Sequence, residues 1–169
     1  MVHFYTVVLS PVGLLKLVAS NDAPTAVLWE DDDPKRVSLG TLVERRDHSI
    51  LRRAEQQLRE SFAGERRTFD IDLDFMGTEF QKKVWNAVLA IPYGETRSYK
   101  EVANAVGNAK AVRAVGAASG RNPMSIIAPC HRVVGTDGSL TGFAGGIETK
   151  RYLLAHETGA GAAWGNLAA

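Results

Sequence analysis

Residues 98–119 read SYKEVANAVGNAKAVRAVGAAS, and this stretch carries the clearest fold signal in the chain. A helix is predicted to begin after the N-cap Ser98, where Glu101 completes a capping-box pattern, and to stop at Gly107. A second helix of small residues, Ala111 to Ser119, follows after a short turn. Two short helices joined in this way predict a helix-turn-helix unit, whose second helix can enter a DNA groove. By pattern alone, however, a plain helical hairpin is the more common outcome.

Two further helices are predicted on either side of this unit. Thr78 is a good N-cap for the first, which ends at Pro92-Tyr93-Gly94, and the second runs from Glu148 to about His156. The stretch before the last helix is rich in glycine, which permits close backbone approach, so it could wall a binding pocket or form only surface turns. Its glycines are Gly135, Gly138, Gly142, Gly145 and Gly146.

The first part of the chain alternates apolar and polar residues in the manner of half-buried strands. Strands are predicted at Phe4–Leu9, Leu14–Ala19 and Thr25–Trp29, which together would form a small antiparallel sheet. Apolar residues then recur at helical spacing over Ser49–Phe62, and a charged connector, Glu65–Asp74, follows. These elements predict a small N-terminal α/β lobe, and the chain as a whole is expected to be of the α+β class.

The chain divides most naturally after residue 75 into two domains. Residues 1–75 would form the N-terminal α+β lobe with its connector, and residues 76–169 the C-terminal domain that holds the helix-turn-helix. The first part carries 10 Lys and Arg against 13 Asp and Glu, and the second carries 10 against 6. A basic domain suits a polyanionic partner such as nucleic acid, but many solvated surfaces are equally basic.

No segment indicates a membrane span or a secretory signal. No apolar run approaches the ~20 residues needed to span a bilayer, and residues 1–5 lack the cationic and apolar regions of a signal peptide. A single cysteine fits a reducing compartment, so a cytoplasmic protein is predicted. One cysteine and four scattered histidines offer no ligand spacing of the zinc kind, so no metal is expected.

The lone cysteine, Cys130, lies in the sequence Pro129-Cys130-His131-Arg132-Val133. Because it has no second cysteine to pair with, it serves either packing or reactivity, and a free cysteine is more often a small buried hydrophobe. Here His131 and Arg132 place proton-accepting or cationic groups beside the sulfur, and Pro129 fixes one backbone dihedral ahead of it. These neighbours favour a reactive thiol.

Three motifs in order give the chain a specific family resemblance: IPYGETRSY at residues 91–99, RNP at 121–123 and PCHRV at 129–133. Residues 76–157 closely resemble the O6-alkylguanine-DNA alkyltransferases, also called methylated-DNA–protein-cysteine methyltransferases, and the N-terminal lobe resembles them in layout. The resemblance implies a C-terminal domain of winged helix-turn-helix type and a role in DNA repair. Such a protein flips the damaged base out of the duplex and transfers the alkyl group from O6 of guanine to its own cysteine, irreversibly and once, with O4-alkylthymine as a further candidate substrate.

The resemblance assigns four catalytic residues. Cys130 would be the nucleophile and alkyl acceptor, because displacement at a saturated carbon needs a soft, strong nucleophile such as a thiolate. His131 would help to remove the thiol proton, through a water or a bend in the chain, and Glu157 would orient the imidazole. Without the resemblance, Glu157 would be interpreted as a solvated helix end. Tyr99 would help to turn the nucleotide and would donate a hydrogen bond to the leaving guanine.

The resemblance also implies which residues bind DNA and which line the substrate pocket. Arg113 would fill the space left by the flipped base while the second helix occupies the minor groove, although a surface or phosphate-contacting arginine is the alternative. The other DNA-binding residues would be Tyr99, Asn122 and the small side chains that allow close approach of the helix, Ala111, Ala114 and Ala117. The pocket would be formed by the backbone carbonyl of Val133 and by Asn122, Phe143 and Ala144.

Two positions depart from the pattern common in this family. Phe143 stands where many members have tyrosine, and Ala144 stands where some carry serine, so the range of alkyl groups accepted is left open. The resemblance implies no cofactor, and its zinc-binding members have a ligand set that this chain lacks. The expected partner is double-stranded DNA containing alkylated guanine. A monomer is expected, with cooperative assembly along DNA left open.

Three other classes of protein compete with this interpretation. An alkyltransferase-like lesion sensor would lack the cysteine that is present here as Cys130. A sequence-specific regulator would need several long polar side chains on the second helix, which offers mainly Arg113. A cysteine hydrolase would use a separate histidine with an Asn or Asp partner and would turn over many times. The alkyltransferase interpretation accounts for the cysteine, its neighbours and the helix-turn-helix together.

Overall fold

The computed structural model describes residues 2–159, so the end of the expected C-terminal domain, residues 160–169, lies outside the described part of the chain. The described residues form two compact units. The first comprises residues 2–76 and 123–127, and the second comprises residues 77–122 and 128–159. The sequence-based division after residue 75 did not anticipate that residues 123–127 return to the first unit.

The first unit is built on a four-stranded sheet. Its strands lie in the order β3-β2-β1-β4, with β1 at Val2–Ser10, β2 at Gly13–Ala19, β3 at Pro24–Trp29 and β4 at Thr41–Glu44. The three predicted strands are present, and β1, β2 and β3 pair antiparallel. The fourth strand, β4, was not predicted; it has four residues, three of them exposed, and pairs parallel to β1. Such a short edge strand carries no alternation of its own to detect.

A single amphipathic helix, α1 at Ser49–Phe62, packs against β1 and β2. The helical spacing predicted five apolar positions; Leu51, Ala54 and Leu58 are buried, whereas Ile50 and Phe62 are half-buried. Full burial of a leucine side chain contributes about 1.5–3 kcal/mol. Burial of this face therefore stabilises the packing of α1 on the sheet.

Residues 123–127 pair with the edge strand β3. The Val27 N–H donates to the Pro123 carbonyl at 2.8 Å, and the indole N–H of Trp29 donates to the Ser125 hydroxyl at 3.2 Å. Met124 forms a parallel bridge with Val27. The sequence did not signal this pairing, because the partners are nearly a hundred residues apart.

The second unit contains three helices that pack on one another: α2 at Glu79–Leu89, α3 at Tyr99–Ala105 and α4 at Val112–Gly120. Thr78 and Ser98 cap α2 and α3, as the sequence predicted. Each does so through a complete capping box, which the sequence predicted only at Ser98. Trp85 of α2 is almost fully buried, and its indole N–H donates to the Ala118 carbonyl at 2.8 Å. This bond fixes α4 against α2.

Helices α3 and α4 are joined by a tight turn and form the predicted helix-turn-helix. The turn begins at Gly107, whose φ of 81° lies in the left-handed region that glycine adopts without strain. Buried Val102 and Ala103 of α3 and buried Val115 and Ala118 of α4 lie on the packed sides of the two helices. The opposite side of α4 is left exposed.

The rest of the second unit is short segments and one helix. A 3₁₀ turn at Cys130–Arg132 leads into β6 at Val133–Val134, which pairs in parallel with β5 at Arg97–Ser98. The last helix, α5 at Ile147–Glu157, packs against the 3₁₀ turn. Across residues 2–159, every helix is too short or too polar to traverse a bilayer.

Candidate active site around Cys130

The thiol of Cys130 is held in a tightly constrained segment. Cys130 is 6% exposed and is the first residue of the 3₁₀ turn. Its N–H donates to the Ala128 carbonyl at 2.8 Å, and its own carbonyl accepts from the Val133 N–H. The backbone on both sides of the sulfur is therefore fixed by hydrogen bonds, and Pro129 restricts it further.

Asn122 ties the end of α4 to the residues that precede Cys130. Its side chain is buried, and its amide nitrogen donates to the Ala128 carbonyl at 2.8 Å. Between these two residues, Ile126 has a φ of 75°, which is uncommon for a β-branched side chain and costs about 1–3 kcal/mol. A strained segment that persists in this way must be held by its surroundings.

The carboxylate of Glu157, at the end of α5, accepts four hydrogen bonds. They come from His131 Nε2 at 2.7 Å, Arg132 Nε at 2.8 Å, Arg132 Nη2 at 2.9 Å and the Gly94 N–H at 3.3 Å. Burial of the side chain, which is 8% exposed, would raise the pKa of Glu157, but the hydrogen bonds and charges of His131 and Arg132 outweigh it. They lower this pKa to about 2, so the carboxylate is ionised at neutral pH.

His131 is 1% exposed and uses only one of its ring nitrogens in this cluster. Burial lowers the pKa of His131 despite the opposing hydrogen bond and charge of Glu157, so the imidazole is neutral near pH 7. Since the ionised Glu157 can only accept, His131 donates Nε2–H to it. The other nitrogen, Nδ1, is then a basic lone pair that is buried and finds no hydrogen-bond partner among residues 2–159.

Arg132 has a role here that the sequence did not predict. Its Nε and Nη2 donate to the Glu157 carboxylate, and its Nη1 donates to the Ile91 carbonyl at 2.7 Å. Its guanidinium also lies 5.5 Å from the centre of the Tyr93 ring. From the sequence, Arg132 was expected only to place a charge beside the sulfur. In the structure it holds the Glu157 carboxylate, which in turn orients His131.

Lys150 is a second residue that the sequence analysis missed. It is fully buried in α5, and its Nζ donates to the carbonyls of Val133 at 2.6 Å and Thr141 at 3.2 Å. Burial lowers the pKa of Lys150, and a thiolate at Cys130 would oppose this by raising it. One signal was available: Lys150 lies three and seven residues before Leu153 and Glu157, on the same face of the helix.

Two aromatic residues of the predicted site lie near Lys150. The ring centres of Tyr99 and Phe143 are 5.8 and 5.9 Å from its Nζ. Both rings are half-buried, whereas Ala144 is exposed. The Val133 carbonyl, the atom expected to receive the guanine amino group, already accepts from Lys150, but a carbonyl oxygen has a second lone pair to offer.

The predicted DNA-binding residues of α4 share its exposed side. Arg113, Ala114 and Ala117 are exposed and Ala111 is half-buried, while Val115 and Ala118 face the interior. Within the described residues, the hydrogen-bonded cluster around Glu157 does not include Arg113. The structure thus offers a separate surface, with one long cationic side chain among small ones.

Among residues 2–159, no group of three or more His, Cys, Asp and Glu side chains could hold a metal ion.

Fold and site together define a class of protein: a helix-turn-helix domain that carries a buried cysteine beside a histidine–glutamate–arginine cluster. Two family models cover nearly the whole described chain. The DNA-binding domain of 6-O-methylguanine DNA methyltransferase matches residues 79–159, and the ribonuclease-like domain of the same family matches residues 3–75. The chain belongs to the 6-O-methylguanine DNA methyltransferase family.

Individual relatives agree with this assignment. The methylated-DNA–protein-cysteine methyltransferase of Methanosarcina acetivorans is 46% identical over 89% of this chain and 96% of its own length. The constitutive enzyme of that name from Bacillus subtilis is 46% identical over 90% of this chain and 93% of its own. The crystal structure of Mycobacterium tuberculosis OGT in complex with DNA has a TM-score of 0.84 and 43% identity, with 94% of each chain covered.

Proposed function

We propose that this protein repairs DNA by removing the alkyl group from O6-alkylguanine and keeping it on Cys130. The observation that carries the proposal is the arrangement around that residue: a buried thiol next to a neutral His131, which is oriented by the ionised Glu157. Relatives of the chain are named for transfer from methylated DNA to a protein cysteine.

The reaction is a displacement at the alkyl carbon. The thiolate sulfur of Cys130 attacks that carbon, a new C–S bond forms, and the bond from carbon to O6 breaks with its electron pair passing to the purine. The thiol loses one proton and the departing guanine gains one, so charge balances over the whole reaction. The thioether is not hydrolysed under mild conditions, and the chain has no second cysteine to resolve it. Each molecule therefore acts once.

In this scheme His131 takes the proton of the thiol. Its Nδ1 carries a lone pair, because Glu157 holds the proton on Nε2. Successive side chains in a 3₁₀ turn point about 120° apart, so one bridging water between Cys130 and His131 is the simplest path for the proton. The ammonium of Lys150 favours the thiolate by charge attraction.

The other pocket residues bind the extruded base. We assign Tyr99 as the donor to N3 of the leaving guanine, and the Val133 carbonyl as an acceptor for its amino group. Phe143 would stack on the base, the Ala144 N–H would meet O6, and Asn122 would couple the helix-turn-helix to the cysteine segment through its bond to Ala128. O4-alkylthymine is a second candidate substrate for the same pocket.

DNA binding is assigned to the exposed side of α4. A helix with small side chains, Ala111, Ala114 and Ala117, can approach the minor groove closely, and Arg113 would occupy the space that the flipped base leaves. The mostly uncharged surface favours binding that tolerates many sequences, because readout of base edges needs several long polar side chains.

The two parts of the chain are proposed to have different roles. Residues 76–169 would carry DNA binding and catalysis, and residues 1–75 would support them. A monomer acting in the cytoplasm suits a chain that depends on one free thiol, since a reducing compartment protects it. No cofactor enters the scheme.

A titration tests the proposal. A fixed amount of protein is mixed with increasing amounts of duplex containing O6-[methyl-³H]methylguanine, and the label transferred to protein is counted. We expect one methyl group per chain at saturation, and no transfer by Cys130→Ser, which should bind the duplex as tightly as the parent protein. Transfer by the serine variant, or release of labelled methanol with continued turnover, would refute the assignment.

A further inference from the structure

Thr141 makes a hydrogen bond to the predicted base-contacting tyrosine. Its hydroxyl oxygen lies 3.3 Å from the phenol oxygen of Tyr99, in the geometry of a bond donated by threonine. Tyr99 is the first residue of α3, directly after the N-cap Ser98, so its backbone is fixed by the capping box. The two residues are 42 positions apart, and the contact therefore joins the glycine-rich loop to the helix-turn-helix.

The backbone of Thr141 is held in place by Lys150. Its carbonyl accepts from Nζ of the buried Lys150, and the same ammonium donates to the Val133 carbonyl at 2.6 Å. Lys150 thus links the loop to the strand that follows Cys130. Thr141 is exposed, but its backbone is bound to the buried Lys150 ammonium, and this contact holds its hydroxyl near Tyr99.

The direction of this bond decides what Tyr99 can do. A hydroxyl group has one proton to donate and two lone pairs to accept with. If Thr141 donates, the phenol oxygen of Tyr99 is the acceptor and its own proton stays available for another partner. A phenol that accepts a hydrogen bond is also a somewhat stronger donor, because linked hydrogen bonds polarise one another.

We propose that Thr141 is a positioning residue for the reaction: by donating its hydroxyl proton to Tyr99, it fixes the phenol and leaves the Tyr99 proton free to reach N3 of the departing guanine. The inference rests on the proposed function, since it needs Tyr99 to act on a guanine. It adds a residue that the family resemblance did not supply.

The test compares Thr141→Val, which has the same shape without the hydroxyl, with Thr141→Ser, which keeps the hydroxyl. Single-turnover methyl transfer is measured on duplexes that contain either O6-methylguanine or O6-methyl-3-deazaguanine, in which a C–H replaces N3. We expect Thr141→Val to slow transfer from O6-methylguanine roughly three- to tenfold, the range that one net hydrogen bond supplies. Thr141→Ser should restore the rate.

The 3-deaza duplex removes the acceptor and serves as the internal control. On it, the parent protein and Thr141→Val should react at equal rates, and Thr141→Val should add nothing to the slow reaction of Tyr99→Phe on either duplex. Equal slowing of both duplexes would show a merely structural role for Thr141 and overturn the inference. An unchanged or faster rate on O6-methylguanine would show that Tyr99 does not need this bond, and would also overturn it.

The result for the parent protein distinguishes failure of the proposed function from failure of the role proposed for Thr141. If the parent protein transfers no methyl group from O6-methylguanine, the proposed function fails. If it transfers one and Thr141→Val behaves as the parent does, only the role of Thr141 fails. Thr141→Ala provides a second hydroxyl-free variant, should the valine side chain disturb the loop.

Discussion

The Glu157 carboxylate holds a hydrogen-bonded cluster together and fixes the orientation of His131 at the same time. It is the common acceptor for His131, Arg132 and the Gly94 N–H. Gly94 can present its N–H there because its φ of 81° suits glycine, and an added Cβ would lie 3.4 Å from the Glu157 carbonyl oxygen. One buried charge therefore fixes the imidazole tautomer and joins three parts of the second unit.

Replacing Glu157 with glutamine should lower both the stability of the fold and the rate of methyl transfer. The guanidinium of Arg132 would lose its counter-charge in a buried site, and breaking such a pair destabilises by about 3–5 kcal/mol. Methyl transfer should also slow, because the Nδ1 lone pair of His131 would no longer be enforced. Urea unfolding and single-turnover kinetics measure the two effects.

The matched control is Glu148→Gln on the same helix. Glu148 is exposed and forms an ion pair with exposed Arg151, so its loss should leave stability and rate close to those of the parent protein. If Glu157→Gln behaved like Glu148→Gln, the buried cluster would not have the importance given to it here.

The shifted pKa of His131 predicts how stability depends on pH. The folded protein holds the His131 proton less tightly than the unfolded chain, whose histidine titrates near 6.5, so protonation favours unfolding. The contribution of neutral His131 is fully present above pH 6.5 and is lost as pH falls below it. Glu157 adds a second loss between its ordinary pKa of 4.5 and about 2.

His131→Asn isolates the first of these effects. Urea unfolding of the parent protein should show a falling free energy of unfolding from pH 6.5 to pH 5, and the variant should lose less over that range. The other histidines are common to both proteins and cancel in the comparison. Parallel curves for the two proteins would mean that burial of His131 does not couple to folding.

At the scale of elements, α4 is a helix with two different sides. Val115 and Ala118 pack inward, where Ala118 accepts the Trp85 indole N–H, and Arg113, Ala114 and Ala117 remain outside. The exposed side contributes little to the core, so changes there should affect DNA binding without affecting folding.

Arg113→Ala should therefore weaken repair of duplex DNA and leave the chemistry intact. We expect a roughly 10- to 100-fold lower affinity for the lesion duplex, from loss of about 1.4–2.7 kcal/mol, with an unchanged rate on free O6-methylguanine base. The slope of affinity against salt should stay the same, because an arginine in the gap left by the base neutralises no phosphate. Arg151→Ala, an exposed arginine of α5, is the control.

A salt slope that fell by about one would identify Arg113 as a phosphate contact instead. An equal loss of rate on the free base would place Arg113 in the chemistry of the pocket. Either result would contradict the role given to it.

Local signals explain which elements the sequence predicts. The N-cap at Thr78 and the capping box at Ser98 each depend on residues within one turn of the helix start, and both are found in the structure. Strand β4 and the pairing of residues 123–127 depend on partners distant in sequence, so nothing near them reveals the pairing. Patterning along the chain detects a helix start but not a distant edge partner.

The candidate site likewise contains some residues that the sequence reveals and others that it does not. Cys130 stands out as the lone cysteine, and its motif points to reactivity. The relation between His131 and Glu157 came from family resemblance, because 26 residues separate them and neither position signals the other. Arg132 binds the Glu157 carboxylate 25 residues away as well as the Ile91 carbonyl, and Lys150 binds the carbonyls of Val133 and Thr141. A distant partner, or a backbone acceptor that every residue type carries, is not visible in the sequence.

The most direct test of the central claim is the intact mass of the protein after reaction. The protein is mixed with an equimolar duplex that contains one O6-methylguanine, and its mass and peptides are then measured. We predict that each chain gains the mass of one methyl group, that the modified peptide carries it on Cys130, and that further duplex stays unrepaired. Chains of unchanged mass after repair of the duplex, or a methyl group on another residue, would contradict the account.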